Sequence, residues 1–423
     1  MLCNGTAFAI AGASISLGVP MNRGFWKAGH WPTLLAAFLY FDLSFMVWVV
    51  LGPLGVQIAQ DLGLDAAQKG LMVAVPVLAG ALLRIPMGLL VDHLKAKRAG
   101  FIGQVVVIAA LLWAWLFGVR SYQDVLVLGV FLGFAGAAFA AALPLASRWY
   151  PPEHQGSALG IVGAGNSGTV LAALFAPSLA AALGWNSVFG LAVVPLAVVL
   201  VVYLAIAKDS PDSPPAKPLR EYFSVLRDRD AWWFMYFYGV TFGGFVGLAS
   251  SLTIYFNDQY GLSAIVAGYF TAACVFAGSL MRSAGGMLAD RLGGIRALSI
   301  MYALSAACVA VASFGLPRAW MALAVFALGM VAMGMGNGAV FQLVPQRFRR
   351  EIGVMTGLVG MAGGIGGFYL ASSLGYSKQL TGSYQSGLLA FAGLALIAFS
   401  GLTLVKIRWR TTWGAATMTA ARI

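Results

Sequence analysis

Two arginines lie inside apolar segments long enough to cross a membrane, and they are the residues best suited to bind a substrate. Arg84 lies in residues 79–94 and Arg282 in residues 277–292. Placing an arginine at the centre of a membrane helix costs about 2.5–3.5 kcal/mol, so each one requires a function or a partner. A guanidinium group is planar, always charged and offers paired N–H donors. The two arginines therefore predict the binding of a small planar oxyanion.

The two arginines occupy matching positions in an internal repeat. Residues 79–94 read AGALLRIPMGLLVDHL and residues 277–292 read AGSLMRSAGGMLADRL, with eight of sixteen positions identical at an offset of 198. A second repeat relates residues 156–163 to residues 353–360 at an offset of 197. Transporters built from two parallel repeats bind substrate near the midplane between them. We therefore expect both arginines to face one central cavity; the alternative is that each pairs with a carboxylate or a helix end.

Asp42 is the one residue among the 14 acidic residues that lies well inside an apolar segment. Two roles are open for it. It can be a structural counter-ion for one of the arginines, or it can carry a proton that drives transport, since buried carboxylates in transporters often act as relays. His30, His93 and His154 are all predicted in loops, which argues against a buried histidine relay.

Charged residues follow each membrane arginine near the end of its segment. Asp92 lies near the C-terminal end of the first copy of the repeat, and Asp290 and Arg291 lie near the C-terminal end of the second. An aspartate there can face the N-terminus of a neighbouring helix, and the basic residues can hold a conformational gate. We expect Asp92, Asp290 and Arg291 to act in gating, although this pattern indicates the fold more than the substrate.

Two further segments are rich in glycine. Residues 160–168 read GIVGAGNSG and residues 357–368 read GLVGMAGGIGGF. Glycine lets helix backbones approach closely and slide, so tight packing is one explanation. Asn166 is an amide among these small residues, and its NH₂ group can donate to an anion. We therefore favour a role for Asn166 in the site.

Composition indicates an all-α membrane protein. Hydrophobic residues make up 60% of the 423 residues and charged residues 9%, against roughly 25% charged in soluble domains. Backbone polar groups in lipid must be satisfied internally, and no strand alternation is visible, so the apolar segments are predicted to be helices. Twelve spans are predicted, at about 33–57, 69–91, 100–118, 124–147, 156–182, 187–207, 231–256, 263–289, 296–315, 319–344, 353–376 and 386–405.

The basic residues predict the orientation of the chain. Of the 26 Lys and Arg, four lie in the loops predicted outside and two lie within spans, which leaves 20 in segments predicted to be cytoplasmic. This bias predicts that both termini are cytoplasmic. It also accounts for the net charge of +12 without nucleic-acid binding. The three cysteines are scattered and form no C-x-x-C pair, which argues against a disulfide framework or a zinc site.

The spans divide into two six-helix halves. Residues 31–207 form the first half, residues 208–230 a cytoplasmic linker, residues 231–406 the second half and residues 407–423 a cytoplasmic tail. Residues 1–30 are predicted to be an N-terminal extension that is disordered or not native. For residues 1–20 a signal peptide is one alternative; upstream translated sequence, with Met21 as the start, is slightly preferred.

Together these features resemble the nitrate/nitrite porter family of the major facilitator superfamily. The resemblance covers nearly the whole chain from about residue 33 and rests on both arginines, both glycine-rich segments, GFAGAAF at residues 133–139 and YGVTF at residues 238–242. It implies that Arg84 and Arg282 clamp nitrate from both sides and that Asn166 donates a hydrogen bond. It also implies further substrate-site residues: Gly163, Gly360, Phe139, Tyr238 and Phe242.

Two residues depart from the pattern of that family. Ala371 stands where a proline is expected after the second glycine-rich segment, and Asp42 is not expected in antiporter-like members. Both nitrate–H⁺ symport and nitrate/nitrite exchange therefore stay open as coupling modes.

The resemblance implies a monomeric secondary transporter of the bacterial inner membrane that works by alternating access and needs no cofactor or metal. The alternatives are a carrier of another small anion, such as cyanate or a short carboxylate, and an anion sensor without transport. An enzyme is not expected, because the sequence offers no metal cluster, buried histidine or nucleophile–base pair.

Overall fold

Twelve long apolar helical segments dominate the computed structural model, which describes residues 25–211, 224–348 and 351–413. They confirm the predicted number of spans and the all-α fold class. In chain order the spans are Trp31–Trp48, Ala66–Leu94, Ala96–Phe117, Tyr122–Ser147, Ser157–Leu183, Trp185–Ile206, Arg229–Tyr260, Ala264–Leu292, Gly294–Ser313, Ala319–Arg347, Ile352–Thr381 and Gln385–Thr411. Short helices at Phe25–Ala28 and Gly55–Leu62 flank span one. Most of the predicted extension and linker lies outside the described residues.

The structure differs from the predicted spans at several helix ends and breaks. Span one was predicted to reach residue 57, but its helix ends at Trp48 and turns follow. Pro53 in these turns lacks the backbone N–H that would bond to the carbonyl of Val49 in a continued helix. Span four is divided into Tyr122–Ala137 and Phe139–Ser147, and span five is interrupted by a 3-10 helix at Ala164–Ser167. Span twelve continues to Thr411, so the predicted tail begins as helix.

The prediction that all three histidines lie in loops is wrong for two of them. His93 lies in the last turn of span two, and His154 lies in the first turn of the helix Pro152–Gly163. Both helices extend beyond the apolar residues from which the spans were predicted, because polar residues at a helix end reach water and need not interrupt the helix.

Capping residues account for several helix starts. Asp65 accepts a hydrogen bond from the backbone N–H of Gln68 at the start of span two, and Ser121 does the same for Asp124 at span four. Each forms a reciprocal capping box, which satisfies backbone donors that the first turn leaves unpaired. Gly261, with φ of +64°, ends span seven in the left-handed conformation that glycine adopts readily.

Spans one to six form one half and spans seven to twelve the other, and the halves meet mainly through two pairs of helices. Span two packs along span eleven, and span five packs along span eight. Small residues line these contacts, as expected where helix backbones approach closely in a membrane. Both membrane arginines lie on these interface helices, in spans two and eight.

The two ends of the bundle differ in their contacts. We call the end that carries Lys69 and Asp258 the Lys69 end, and the opposite end, which carries Asp92 and Arg148, the Arg148 end. At the Lys69 end, Lys69 Nζ of the first half lies 2.8 Å from Asp258 Oδ2 of the second. Gln379 Oε1 of span eleven also accepts a hydrogen bond of 3.1 Å from the first residue of span two. Polar contacts thus join the halves there.

Spans two and eleven touch at the Lys69 end and separate towards the Arg148 end. Eighteen residues, or five helical turns, separate Gly70 from Gly88 and Gly357 from Gly375, so each pair shares one face of its helix. A Cβ added at Gly70 would lie 2.7 Å from Gly375 Cα. A Cβ added at Gly88 or Gly357 would meet no described atom within 4 Å. The structure is therefore closed at the Lys69 end and open between these spans at the Arg148 end.

Candidate functional site

Arg84 is held between the two halves by backbone carbonyl groups. The residue is 2% exposed. Its Nε donates to the carbonyl of Gly136 in span four at 3.4 Å, and its Nη1 donates to the carbonyl of Gly360 in span eleven. Its Nη2 is buried and has no hydrogen-bond partner among the described residues. The guanidinium group is thus fixed in place while one NH₂ group has donors that the described residues do not use.

Arg282 occupies the matching position in span eight. Its Nη2 lies 3.4 Å from the hydroxyl of Tyr238, and its Nη1 is buried without a hydrogen-bond partner in the described chain. Tyr238 stacks on Phe242, whose ring centroid lies 5.5 Å from Arg84 Cζ, so both arginines border one cluster of side chains. The predicted convergence of the two arginines on one central site is therefore present in the structure.

Gly163 and Gly360 lie against the arginine of the opposite half, as their place in the repeat suggests. A Cβ added at Gly360 would lie 2.9 Å from Arg84 Nη1, and a Cβ added at Gly163 would lie 3.6 Å from Arg282 Cζ. A larger residue at position 360 would therefore press on the guanidinium group. The structure brings these two predicted site residues to the arginines.

The three predicted aromatic residues also surround the arginines. The Arg84 guanidinium carbon lies 5.0 Å from the ring centroid of Phe139 and 5.5 Å from that of Phe242. Tyr238 and Phe242, one helical turn apart in span seven, stack with centroids 5.1 Å apart and an interplanar angle of 5°. Rings at this distance attract a cation through their π faces, so they hold the arginines without neutralising their charge.

Two aromatic residues of the site were not predicted. Trp48 lies 5.7 Å from Arg84 Cζ, and Phe341 of span ten lies 5.9 Å from Arg282 Cζ. The ring of Phe341 also meets that of Tyr238 edge-on at 5.0 Å. The repeat gives no signal for Phe341, because an offset of 197 or 198 from Phe139 leads to residues 336 and 337, which are glycine and asparagine.

Asn166 lies in the 3-10 helix that interrupts span five. It is 1% exposed, and its Oδ1 has no hydrogen-bond partner in the described part of the chain. Span eight, which carries Arg282, packs against this 3-10 helix. The structure thus places Asn166 on the segment that borders the site; its hydrogen bond to a substrate remains a prediction.

Asp42 forms no ion pair with either arginine. Its Oδ1 accepts a hydrogen bond of 2.7 Å from the hydroxyl of Ser167. Among the described residues, no carboxylate oxygen lies within 4.0 Å of a side-chain nitrogen of Arg84 or Arg282. The structural counter-ion role considered for Asp42 is therefore not supported, and the positive charge of the site is not balanced by a paired carboxylate.

The predicted gating residues lie at the Arg148 end, away from the arginines of the site. Asp92 Oδ1 lies 3.7 Å from Arg148 Nη2 within the first half. Asp290 is exposed near the end of span eight, and Arg291 follows it in the same helix. Gating by these residues stays a prediction.

The second half carries a stronger ion-pair cluster at the same end. Arg347 at the end of span ten contacts Asp228 and Asp230, and Arg408 of span twelve contacts Asp230 as well. The cluster ties the ends of spans seven, ten and twelve together.

The described residues contain no group of three His, Cys, Asp or Glu side chains placed to hold a metal ion. What the site offers instead is two guanidinium groups with unpaired buried N–H groups, ringed by aromatic side chains. Buried charge without a partner is costly, so a small anion that accepts from both arginines fits the arrangement.

Sequence comparison gives the family. The sequence profile of the Major Facilitator Superfamily matches residues 33–371. The chain belongs to this superfamily. It is therefore a transporter and not an enzyme.

Similar proteins narrow the relationship further. The chain is 33% identical over 357 residues to the nitrite extrusion protein of Bacillus subtilis, a match that covers 84% of this chain and 89% of that protein. It is 34% identical over 363 residues to the probable nitrate/nitrite transporter NarK2 of Mycobacterium tuberculosis, covering 84% and 91% of the two chains. It is 30% identical to the probable nitrate/nitrite antiporter NarK1 of Thermus thermophilus, covering 85% and 88%. These relatives confirm the predicted nitrate/nitrite porter family.

A solved structure supports the fold. A bacterial homologue of the human lysosomal transporter Spinster, in an inward-facing and occupied conformation, superposes with a TM-score of 0.67. The match covers 88% of this chain and 96% of that one at 19% identity. The twelve-span architecture is thus the major facilitator fold.

Proposed function

We propose that this protein carries nitrate or nitrite across the bacterial inner membrane by alternating access, as a monomer, with Arg84 and Arg282 as the binding pair. The observation that carries the proposal is the unpaired buried N–H groups of two arginines from opposite halves. Nitrate and nitrite are planar monoanions whose oxygens can accept from both guanidinium groups at once. The nitrate- and nitrite-transporting names of the relatives support the same substrate class.

The distribution of basic residues supports an orientation with both termini in the cytoplasm. The Arg148 end is then cytoplasmic, and the structure is a state open to the cytoplasm and closed to the outside. In this state the site can exchange anion with the cytoplasm. Rocking of the two halves about the site would close spans two and eleven at the Arg148 end and open the Lys69 end.

Substrate binding lowers the barrier to this change. Two guanidinium groups repel each other when the halves close, and no carboxylate of the described residues is paired with either. A bound anion removes part of that repulsion, because it places negative charge between the groups. The loaded site therefore closes more readily than the empty one, and this difference links transport to occupancy.

The same electrostatics favours nitrate/nitrite exchange. The empty, positively charged site resists closure, so the carrier returns to its starting conformation only with a second anion bound. Symport of nitrate with H⁺ is the second candidate, supported by Asp42, a carboxylate within span one. The two modes separate in proteoliposomes. Exchange requires internal nitrite for nitrate uptake, whereas symport responds to an inward proton gradient without internal anion and loses that response in Asp42→Asn.

The experiment that tests the site is uptake of labelled nitrate by wild type, Arg84→Lys and Arg282→Lys, with and without internal nitrite, at two pH gradients. Lysine keeps the charge but loses the planar two-donor geometry. Losing one hydrogen bond to a charged group costs about 1.5–3 kcal/mol, so we expect the affinity to fall about 10- to 150-fold in either variant. Arg120→Lys, the same change at an exposed arginine, is the control and should match wild type.

The outcome also decides the substrate. If neither nitrate nor nitrite is bound or moved by wild type, the proposed substrate is wrong while the fold stands. If cyanate or a short carboxylate such as formate displaces labelled nitrate far better than nitrite does, the protein carries another small anion. If anions bind but no flux occurs under any gradient, the protein is a sensor.

A further inference from the structure

The interruption of span five has no counterpart in the second half. The 3-10 helix Ala164–Ser167 separates the helix Pro152–Gly163 from the helix Gly168–Leu183. Span eleven, its counterpart in the repeat, is an unbroken helix from Ile352 to Thr381 although it is equally rich in glycine. Glycine content alone therefore does not cause the break. Span five differs from span eleven in carrying Asn166 and Ser167 where span eleven has Gly363 and Gly364, and Ser167 makes a contact that span eleven lacks.

Span one supplies that contact through Asp42. The hydroxyl of Ser167 donates to Asp42 Oδ1 at 2.7 Å, and the backbone N–H of Gly168 lies beside the same carboxylate. Ser167 ends the 3-10 helix and Gly168 begins the 16-residue helix that follows. Asp42 thus binds span five at the junction between its 3-10 helix and the helix that follows.

The backbones of the two segments are also in close contact. A Cβ added at Gly165 would lie 2.8 Å from a ring carbon of Phe41 and 3.0 Å from the backbone nitrogen of Asp42. A Cβ added at Gly168 would overlap the carbonyl of Asp42. The 3-10 helix is therefore packed closely on span one at Asp42.

The repeat shows that the contact is specific to the first half. The repeat offsets of 197 and 198 relate Asp42 to Gly239 and Val240, neither of which carries a carboxylate. The half that lacks the carboxylate has the unbroken glycine-rich span. The half that has it holds Asn166 in the 3-10 helix and Gly163 one residue before it, where Gly163 faces Arg282.

We propose that Asp42 is a positioning residue: through Ser167 it holds the 3-10 helix of span five so that Gly163 and Asn166 stand against Arg282 in the anion site. The expected effect of Asp42 on anion binding rests on the proposed function, whereas the contact between Asp42 and Ser167 does not. Asp42 neither touches the anion nor neutralises an arginine. It acts by keeping the wall of the site in place.

Positioning and electrostatics predict opposite effects of substitution. Removing a negative charge near the site would by itself tighten anion binding, equally in Asp42→Ala and Asp42→Asn. Positioning predicts that Asp42→Ala weakens binding, because the acceptor for Ser167 is lost. It also predicts that Asp42→Asn restores binding, because the carboxamide oxygen can still accept that hydrogen bond.

The experiment is equilibrium binding of labelled nitrate to the purified full-length protein. We expect Asp42→Ala and Ser167→Ala each to raise the Kd about tenfold, the double variant to add little to either, and Asp42→Asn to stay within about threefold of wild type. Ser44→Ala is the matched control, because it removes a hydrogen bond to Gln104 from the same helix without touching span five. Tighter binding in both Asp42 variants, or fully additive losses in the double variant, would overturn the proposal.

Hydrogen–deuterium exchange of the peptide covering residues 160–170 gives a readout that needs no substrate. Asp42→Ala should speed exchange at residues 164–168 about tenfold, while Ser44→Ala should not. If wild type binds neither nitrate nor nitrite, the proposed function fails, and this measurement still tests the contact. Unchanged exchange in Asp42→Ala would show that Asp42 does not hold the 3-10 helix.

Discussion

The ion pair between Lys69 and Asp258 joins the two halves at the closed end, and breaking it should open that end. Lys69 Nζ lies 3.0 Å from Asp258 Oδ1 and 2.8 Å from Oδ2. The hydroxyl of Tyr384 donates to Asp258 Oδ2 at 2.9 Å. Burial of Tyr384, followed by the charge of Asp258, raises the pKa of the tyrosine hydroxyl above its usual value, so the group stays a donor at physiological pH.

The burial of the pair sets the expected magnitude. Exposed ion pairs contribute up to about 1 kcal/mol, whereas removing one partner of a fully buried pair costs about 3–5 kcal/mol. The side chains of Lys69 and Asp258 are 19% and 16% exposed, so this pair falls between the two cases. We expect Asp258→Asn, which keeps an acceptor for Tyr384, to destabilise the closed end by about 1.5–2 kcal/mol. The equilibrium constant between the closed and open forms of the Lys69 end should then shift about ten- to thirtyfold towards the open form.

Cysteine labelling measures the shift. Ile254 is 5% exposed and lines, with Lys69 and Asp258, a pocket of about 230 Å³ at the Lys69 end. In a background with the three native cysteines replaced by serine, a cysteine at position 254 should react with a water-soluble maleimide about ten times faster when Asp258→Asn is present. Exchanging the two charges, in Lys69→Asp with Asp258→Lys, should return the rate towards the wild-type value.

A carboxylate at the same end provides the control. Asp61 accepts a hydrogen bond from Trp185 Nε1 within the first half, so Asp61→Asn removes one carboxylate charge at the Lys69 end without touching a contact between the halves. A labelling rate that is unchanged in Asp258→Asn, or raised equally in Asp61→Asn, would refute the view that the ion pair holds the halves together.

Two further predictions follow from the packing of the second half. Gly357→Leu should leave nitrate affinity within about threefold but reduce exchange flux more than about tenfold, because its side chain would fill the space that spans two and eleven must close. Gly393→Leu, at a half-buried position in span twelve where an added Cβ also meets no described atom within 4 Å, should change neither. Asp230→Asn should destabilise the protein by about 2 kcal/mol, since Asp230 pairs with Arg347 and Arg408. A thermal unfolding curve that matches wild type would contradict that estimate.

Several site residues were predictable because their signals are local. Arg84 and Arg282 stand out as charges in apolar segments, and the repeat relates them by one offset. The same repeat relates Gly163 to Gly360, and the structure places each against the arginine of the other half. Periodicity brought Tyr238 and Phe242 to one face of span seven, where their rings stack. Charge, offset and helical period are all properties of the chain itself.

Other site residues have no such signal. Phe341 borders Arg282 although the repeat does not relate it to Phe139, because spans four and ten present their aromatic residues from different turns. For Asp42 the sequence left two roles open, a counter-ion for an arginine and a proton carrier, because its partner Ser167 lies 125 positions along the chain. Which side chains share a cavity depends on the angles at which helices cross, and a single sequence does not encode these in any local pattern.

The sequence by itself thus determined the membrane environment, the twelve spans, the two-half repeat and the converging arginines, because hydropathy and repetition act through neighbouring residues. Only the tertiary structure decided which end of the bundle is closed. Gly70 and Gly88 look alike in sequence, yet one touches span eleven and the other faces open space. The tilt of one half against the other separates them, and that tilt arises from contacts between distant segments, including Lys69 with Asp258.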